Sequence, residues 1–230
     1  MQPAPSPIKA ILYDLDGTLV DNFGAIHRSI AHAQQALGLP ISSYEKVRAT
    51  VGGGIEMTLA RLVGPELAPQ ALPYFTEFFQ KNMFVDLHPL PGAAWMLEQL
   101  HARGLRQAVL TNKHGEAARA TIAHLGWSPW IELVLGTHDT PWRKPMAEFG
   151  RHALQELQTA PAEALMIGDS PFDIEAGINA GLRSQAVTTG SHTRAQLLAH
   201  QPAPEAVFDN LHDLATSTFG LPSPTAKVTL

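Results

Sequence analysis

Ile8-Lys9-Ala10-Ile11-Leu12-Tyr13, followed at once by Asp14-Leu15-Asp16-Gly17-Thr18-Leu19, decides how the chain is read. The apolar run is short enough for a buried strand. Two carboxylates one residue apart then stand at its end, ahead of a glycine. Like charges that close resist joint ionisation unless a cation sits between them. The stretch therefore predicts a strand of a buried sheet that delivers a cation-dependent reaction centre at its carboxyl end.

Four more apolar runs follow: Leu105 to Leu110, Ile131 to Leu135, Ala164 to Ile167 and Ser184 to Val187. Helical stripes separate them, such as Met96, Leu97 and Leu100, or Ala118, Ile122 and Leu125. Strands alternating with helices predict an α/β, Rossmann-like parallel sheet with helices on both faces. Between Asp21 and His88 no strand is evident. Stripes such as Ile26, Ile30 and Ala33, then Leu59 and Leu62, then Leu72, Phe75, Phe78 and Phe79 recur instead. Gly52-Gly53-Gly54, Gly64-Pro65 and Pro73 punctuate them. A smaller all-helical domain inserted after the first strand is expected at 21–88, with the α/β core at 8–20 and 89–217. Residues 1–7 and 218–230, rich in Pro, Ser and Thr, are expected to be flexible.

Composition narrows the function. The 230 residues carry a formal net charge of −5, so no basic excess exists to neutralise a nucleic-acid backbone. The chain has no cysteine, which removes thiolate metal sites and cysteine nucleophiles. No stretch approaches the about 18 apolar residues of a spanning helix, and the N-terminus lacks the pattern of a signal peptide. A cytoplasmic protein acting on a small molecule is expected, without nucleic acid or membrane, as monomer or homodimer.

Three strand ends carry polar residues: Asp14/Asp16, Thr111-Asn112 and Gly168-Asp169-Ser170. In a parallel sheet they share the ligand-binding edge. Lys144-Pro145 follows the third strand and could join them. Each has an ordinary structural reading: Asp16-Gly17 a turn, Asn112 a helix cap, Ser170-Pro171-Phe172-Asp173 a capping box. Together they exceed what folding asks of them.

The set resembles the haloacid dehalogenase superfamily of phosphotransferases. Its four motifs occur in order as Asp14-Leu15-Asp16-Gly17-Thr18-Leu19, Thr111, Lys144-Pro145 and Gly168-Asp169-Ser170-Pro171-Phe172-Asp173. The likeness spans about Lys9 to Leu214, and the helical insert matches the family's C1-type cap. It implies Mg²⁺ held by Asp14, by the main-chain carbonyl of Asp16 and by Asp169. It implies Asp14 as the nucleophile that forms an aspartyl-phosphate, and Asp16 as general acid, then base. Thr111, Gly17 and Asn112 would hold phosphoryl oxygens, and Lys144 would offset their charge. Ser170 and Asp173 would orient Lys144 or the water around the metal.

Within the superfamily the chain resembles the phosphoglycolate phosphatases, through Asp16-Gly17-Thr18-Leu19-Val20-Asp21, Val51-Gly52-Gly53-Gly54, Pro91-Gly92 and Thr111-Asn112-Lys113. The resemblance implies phosphoglycolate or a similar small phosphorylated acid as substrate, with Arg61 available for its carboxylate and the Gly52–Gly54 turn as a lid. Tyr13, where the family commonly has Phe, is a departure. The alternatives are a phosphomutase resembling β-phosphoglucomutase, a pyrophosphatase, and a non-enzymatic phospho-acceptor.

Overall fold

A computed structural model describes residues 6–222. The chain runs β1 (Ala10–Tyr13), β2 (Val20–Asp21), α1 (Phe23–Ala36), α2 (Tyr44–Arg48), α3 (Ile55–Val63), α4 (Ala68–Asn82), β3 (His88–Pro89), α5 (Ala93–Ala102) and β4 (Arg106–His114). It continues through α6 (Gly115–His124), β5 (Leu133–Thr137), α7 (Ala147–Glu156), β6 (Ala164–Gly168), α8 (Pro171–Ala180) and β7 (Arg183–Val187). It closes with α9 (Arg194–Ala199), β8 (Ala206–Phe208) and α10 (Leu211–Phe219).

Six strands form one parallel sheet in the order β5-β4-β1-β6-β7-β8. Alternation along β1 divides its side chains between two cores. Ile11 and Tyr13 face α5, α6 and α10, meeting Met96, Leu97, Ile122 and Leu214. Ala10 and Leu12 face α7 and α8, meeting Phe149, Ala153, Leu154 and Ala180. Burial on both faces is why β1 reads as a continuous apolar run rather than an alternating one.

Tyr13 is fully buried, and its hydroxyl donates to Gln107 Oε1 at 2.8 Å. Gln107 Nε2 donates in turn to the carbonyls of Leu97 and Trp130. The departure from Phe at position 13 is thus matched by a polar partner on the neighbouring strand.

Helices α1–α4 share an apolar cluster of their own, built on Ile26, Ile30, Ala33, Leu59, Phe75 and Phe79. The chain enters and leaves this segment through β2 and β3, which pair antiparallel, Val20 with Pro89 and Asp21 with His88. The two connections therefore run side by side as one short ribbon. Pro73, expected as a break, lies within α4. It is exposed and close to the helix start, where the N–H it lacks removes only one early hydrogen bond.

The sixth strand, β8, escapes sequence reading because only three residues form it. Strand β5 starts at Leu133 rather than Ile131, which instead buries in the core. Helix α10 extends past 217. Phe219 ends α10, and Leu221 is buried because it packs in the core beneath the sheet. Residues 1–5 and 223–230 of the expected flexible ends lie outside the described residues. No helix among the described residues is long and apolar enough to cross a membrane.

Candidate active site

The register Tyr13↔Val109 and Tyr13↔Ile167 sets the carboxyl ends of β4, β1 and β6 level. Asp14, Thr111 and Asp169 therefore emerge at one sheet edge although they are far apart in sequence. Between Leu110 and His114 the pairing of β4 with β5 shifts register. That irregularity re-aims Thr111, Asn112 and Lys113 at the edge.

Lys144 is the hub. Its side chain is 2% exposed, and Nζ donates to Asp14 Oδ1 and to Asp173 Oδ1, both at 2.6 Å. The second oxygen of Asp173 accepts from the Ser170 N–H and hydroxyl at 2.9 and 2.7 Å. The capping box at the start of α8 thus also fixes the acid that holds Lys144.

Asp169 Oδ2 accepts from the N–H and hydroxyl of Ser191 at 2.7 and 2.8 Å. Gly17, at φ +94°, lies against it: a Cβ there would come within 2.9 Å of Gly190 Cα and 3.0 Å of the Asp169 carboxyl carbon.

Carboxylate oxygens of Asp14, Asp169 and Asp173 all lie within 4.8 Å of one another, and all three residues are buried. Three acids face one lysine, so charge is left uncompensated. Burial, then Asp173 and Asp14, push the Asp169 carboxyl up to about 8. Burial lifts Asp14 to about 6 against the opposing pull of Lys144. For Lys144, burial would favour the neutral amine, but Asp14 and Asp173 outweigh it and hold the ammonium well above its usual range. A divalent cation with a preference for hard oxygen ligands would relieve the strain of this cluster, and Mg²⁺ fits that donor set.

The Asp16 carboxylate stands apart from the cluster. Lys113 Nζ donates to its two oxygens at 3.0 and 2.9 Å. Asn22, in the amide orientation that satisfies both its atoms, accepts from the same Nζ at 2.9 Å and donates to the Met83 carbonyl. The ammonium also lies 4.7 Å above the Phe79 ring.

Asp14, Asp16, Thr111, Asn112 and Lys113 border a cavity of 440 Å³ that continues into the helical segment. Three expected contacts with a ligand are arranged differently. The Asn112 amide is consumed within the protein: Nδ2 donates to the carbonyls of Gly52 and Lys144 at 3.1 Å, and Oδ1 accepts from the Lys144 N–H. It positions the lysine and the glycine turn. The Gly17 N–H donates to the Val20 carbonyl at 2.8 Å, closing the turn after β1, so the glycine serves close approach. Arg61 is outside the cavity lining; its Nη1 reaches the Thr50 carbonyl at 3.4 Å on the exposed side of α3.

The glycine turn itself sits over the site, with Gly52 and Gly54 in the cavity wall. Arg48 adds a second tie from the helical segment, donating to the carbonyls of Gly190 and Thr189 at 3.1 and 2.9 Å. Lys113, Ser191 and Arg48 carry no assignment in the sequence reading. Lys113 stood next to Asn112, which did, at the end of its strand.

The family model of haloacid dehalogenase-like hydrolases matches residues 11–187. A phosphoglycolate phosphatase of Vibrio parahaemolyticus is 31% identical over 217 residues, covering 90% of this chain and 94% of the relative. Among solved structures, the haloacid dehalogenase-like hydrolase SP0104 of Streptococcus pneumoniae is 26% identical with a TM-score of 0.82, covering 91% of this chain and 98% of its own. CbbY of Rhodobacter sphaeroides, solved in complex with phosphate, is 25% identical with a TM-score of 0.74 and covers 90% and 96%. With the four motifs gathered on one sheet edge, the chain belongs to the haloacid dehalogenase-like hydrolase family, as a phosphatase of its phosphoglycolate phosphatase-like branch.

Proposed function

We propose that the protein hydrolyses the phosphate monoester of a small metabolite through a phosphorylated Asp14. One Asp14 oxygen attacks phosphorus, and the bond from phosphorus to the leaving oxygen breaks. Asp16 gives that oxygen its proton. Asp16 then takes a proton from water as the water attacks phosphorus; the Asp14–phosphorus bond breaks and inorganic phosphate leaves.

Lys144 offsets the charge that Asp14 and the phosphoryl group bring together. The Thr111 hydroxyl donates to a phosphoryl oxygen. Ser170 and Asp173 keep Lys144 in place. Asp14, Asp169 and the Asp16 carbonyl would hold Mg²⁺, which supplies positive charge to an otherwise anionic site. Residues 21–88 serve as a cap over a core of 8–20 and 89–217, with the β2–β3 ribbon as its hinge and the Gly52–Gly54 turn closing over the site.

The observation that carries this reading is the position of Asp14. It is anchored through one oxygen by a buried lysine, and it borders a cavity large enough for a substrate. Phosphoglycolate, the substrate by which the relatives are named, offers the phosphate and the leaving oxygen this chemistry needs.

The test is phosphate release from a panel of phosphorylated acids, sugars and alcohols, with Mg²⁺ and with a chelator. Release that requires Mg²⁺ and is lost in Asp14→Asn is expected. Full activity in Asp14→Asn would rule the mechanism out.

A further inference from the structure

We infer that the leaving group this site accepts has an uncharged, apolar body, so that the preferred substrate is the phosphate ester of an apolar alcohol rather than of a two-carbon acid. The inference rests on the phosphatase reading above and concerns what the cavity does with the other half of the substrate.

Beyond Asp14 and Asp16 the cavity wall is dominated by Ile26, Ile55, Leu72, Phe75, Phe79 and Met83, with the uncharged polar side chains of Thr76, Gln80 and Thr137 also in the lining. Five of the six apolar residues come from α1, α3 and α4, so the helical segment supplies the apolar wall and the sheet supplies the chemistry. Phe75 and Phe79 are stacked, with centroids 5.3 Å apart and planes at 12°, forming a flat aromatic surface. The volume of 440 Å³ falls in the range of about 300–1,000 Å³ that houses drug-sized ligands. It exceeds what a glycolate fills.

The charges point the same way. No arginine lines the cavity, and its one lysine among the described residues, Lys113, is committed to both Asp16 oxygens. The Thr58 hydroxyl is spent on the Gly54 carbonyl at 2.9 Å. Two further acids, Glu56 and Glu116, are exposed in the lining. His114 and His138 also line it, but they lie against each other at 4.9 Å, and His138 Nε2 is 4.0 Å from Glu56. A substrate carboxylate would enter a space with four protein carboxylates and no free ammonium or guanidinium. An alkyl or aryl group would be desolvated against matching surface.

The experiment is a series of n-alkyl phosphates from ethyl to hexyl, with phosphoglycolate and phenyl phosphate beside them, all with Mg²⁺ on the full chain. Each buried methylene contributes about 0.8 kcal/mol, so kcat/KM should rise about fourfold per methylene, and phosphoglycolate should fall about tenfold or more below butyl phosphate. Leu72→Lys, which places a cation in the half-buried wall, should flatten the series and raise phosphoglycolate turnover. If phosphoglycolate is turned over well while the wild-type series is flat or falling, this inference fails and the phosphatase reading stands. If Mg²⁺-dependent release is seen with none of these esters, both fall.

Discussion

Lys113 Nζ donates to both oxygens of Asp16, at 3.0 and 2.9 Å, from a position 97 residues further along the chain. The same ammonium reaches Asn22 at the entrance to the helical segment and lies over Phe79 in its apolar cluster. One lysine thus ties Asp16, the proposed acid–base group, to the helical segment. Asp16→Asn should slow alkyl phosphate hydrolysis by about 10²–10⁴-fold. With p-nitrophenyl phosphate the first step, read as the burst of p-nitrophenol, should be slowed far less, because that leaving group departs without a proton, while steady-state turnover still falls with the unassisted attack of water. Lys113→Met leaves Asp16 in place without its orienting partner, and a loss of about tenfold to a hundredfold in kcat is expected for alkyl esters. Unchanged kcat on both kinds of ester in Lys113→Met would remove the orienting role.

The acidic cluster makes stability and metal affinity depend on pH in opposite senses. Asp14 and Asp169 keep their protons in the folded state up to about 6 and about 8, against 3.8 in the unfolded chain. Between those values the folded state binds more protons than the unfolded one. Their contribution to stability therefore falls as pH rises, from about 4 through 6 for Asp14 and through 8 for Asp169. Metal binding requires the deprotonated acids, so Mg²⁺ affinity should tighten over pH 6 to 8. Thermal melts of the metal-free protein should show Tm decreasing across this range more steeply than in Asp169→Asn, with Mg²⁺ restoring more at pH 8 than at pH 6. A Mg²⁺ shift that is larger at pH 6 would contradict the assignment.

Arg48 and Asn112 fasten the helical segment over the sheet edge from opposite sides, Arg48 on the carbonyls of Thr189 and Gly190, Asn112 on that of Gly52. Hydrogen bonds from a charged donor contribute about 1.5–3 kcal/mol. Arg48→Ala should therefore shift the segment toward an open arrangement, visible as faster amide exchange at residues 51–54 and a raised KM. Exchange at the turn equal to wild type would show that Arg48 is no latch.

Tyr13, the last residue of β1 and the one before Asp14, forms a buried polar pair with Gln107. Tyr13→Phe strips Gln107 Oε1 of its donor and should destabilise the protein by about 1–3 kcal/mol. Adding Gln107→Leu should not recover this loss, because Gln107 also satisfies the Leu97 and Trp130 carbonyls. Chemical denaturation of the single and double variants measures both.

The edge that gathers Asp14, Thr111 and Asp169 was legible because strand ends are local events. Asp14 and Asp169 each follow an apolar run directly, and Lys144-Pro145 and the Ser170–Asp173 box are local patterns. That Asp173 also grips Lys144, 29 residues away, came from the family resemblance, which left water as the alternative, and not from the capping box itself. Gly17 and Asn112 were read as ligand contacts, and their polar groups are used by Val20, Gly52 and Lys144. Such pairings depend on loop paths that spacing does not encode. The same holds for Ser191 on Asp169 and for Arg48 on the loop after β7. Arg61 looked available because its helix was legible, while the face it presents was not; it reaches Thr50 on the exposed side. The apolar stripes of α1 and α4 read as core, and they are; that Phe75, Phe79 and Leu72 also wall a cavity follows only from how the segment docks on the sheet.

The central claim is that Asp14 carries the phosphoryl group. Rapid-quench with ³²P-labelled p-nitrophenyl phosphate and the Asp16→Asn variant, in which the first step is spared and release from the enzyme is slowed, measures it directly. The account predicts label on the peptide containing Asp14, stable in acid and lost in base, and none when Asp14 is also replaced by Asn. Turnover with no label on that peptide, or label that persists in the Asp14→Asn background, would contradict it.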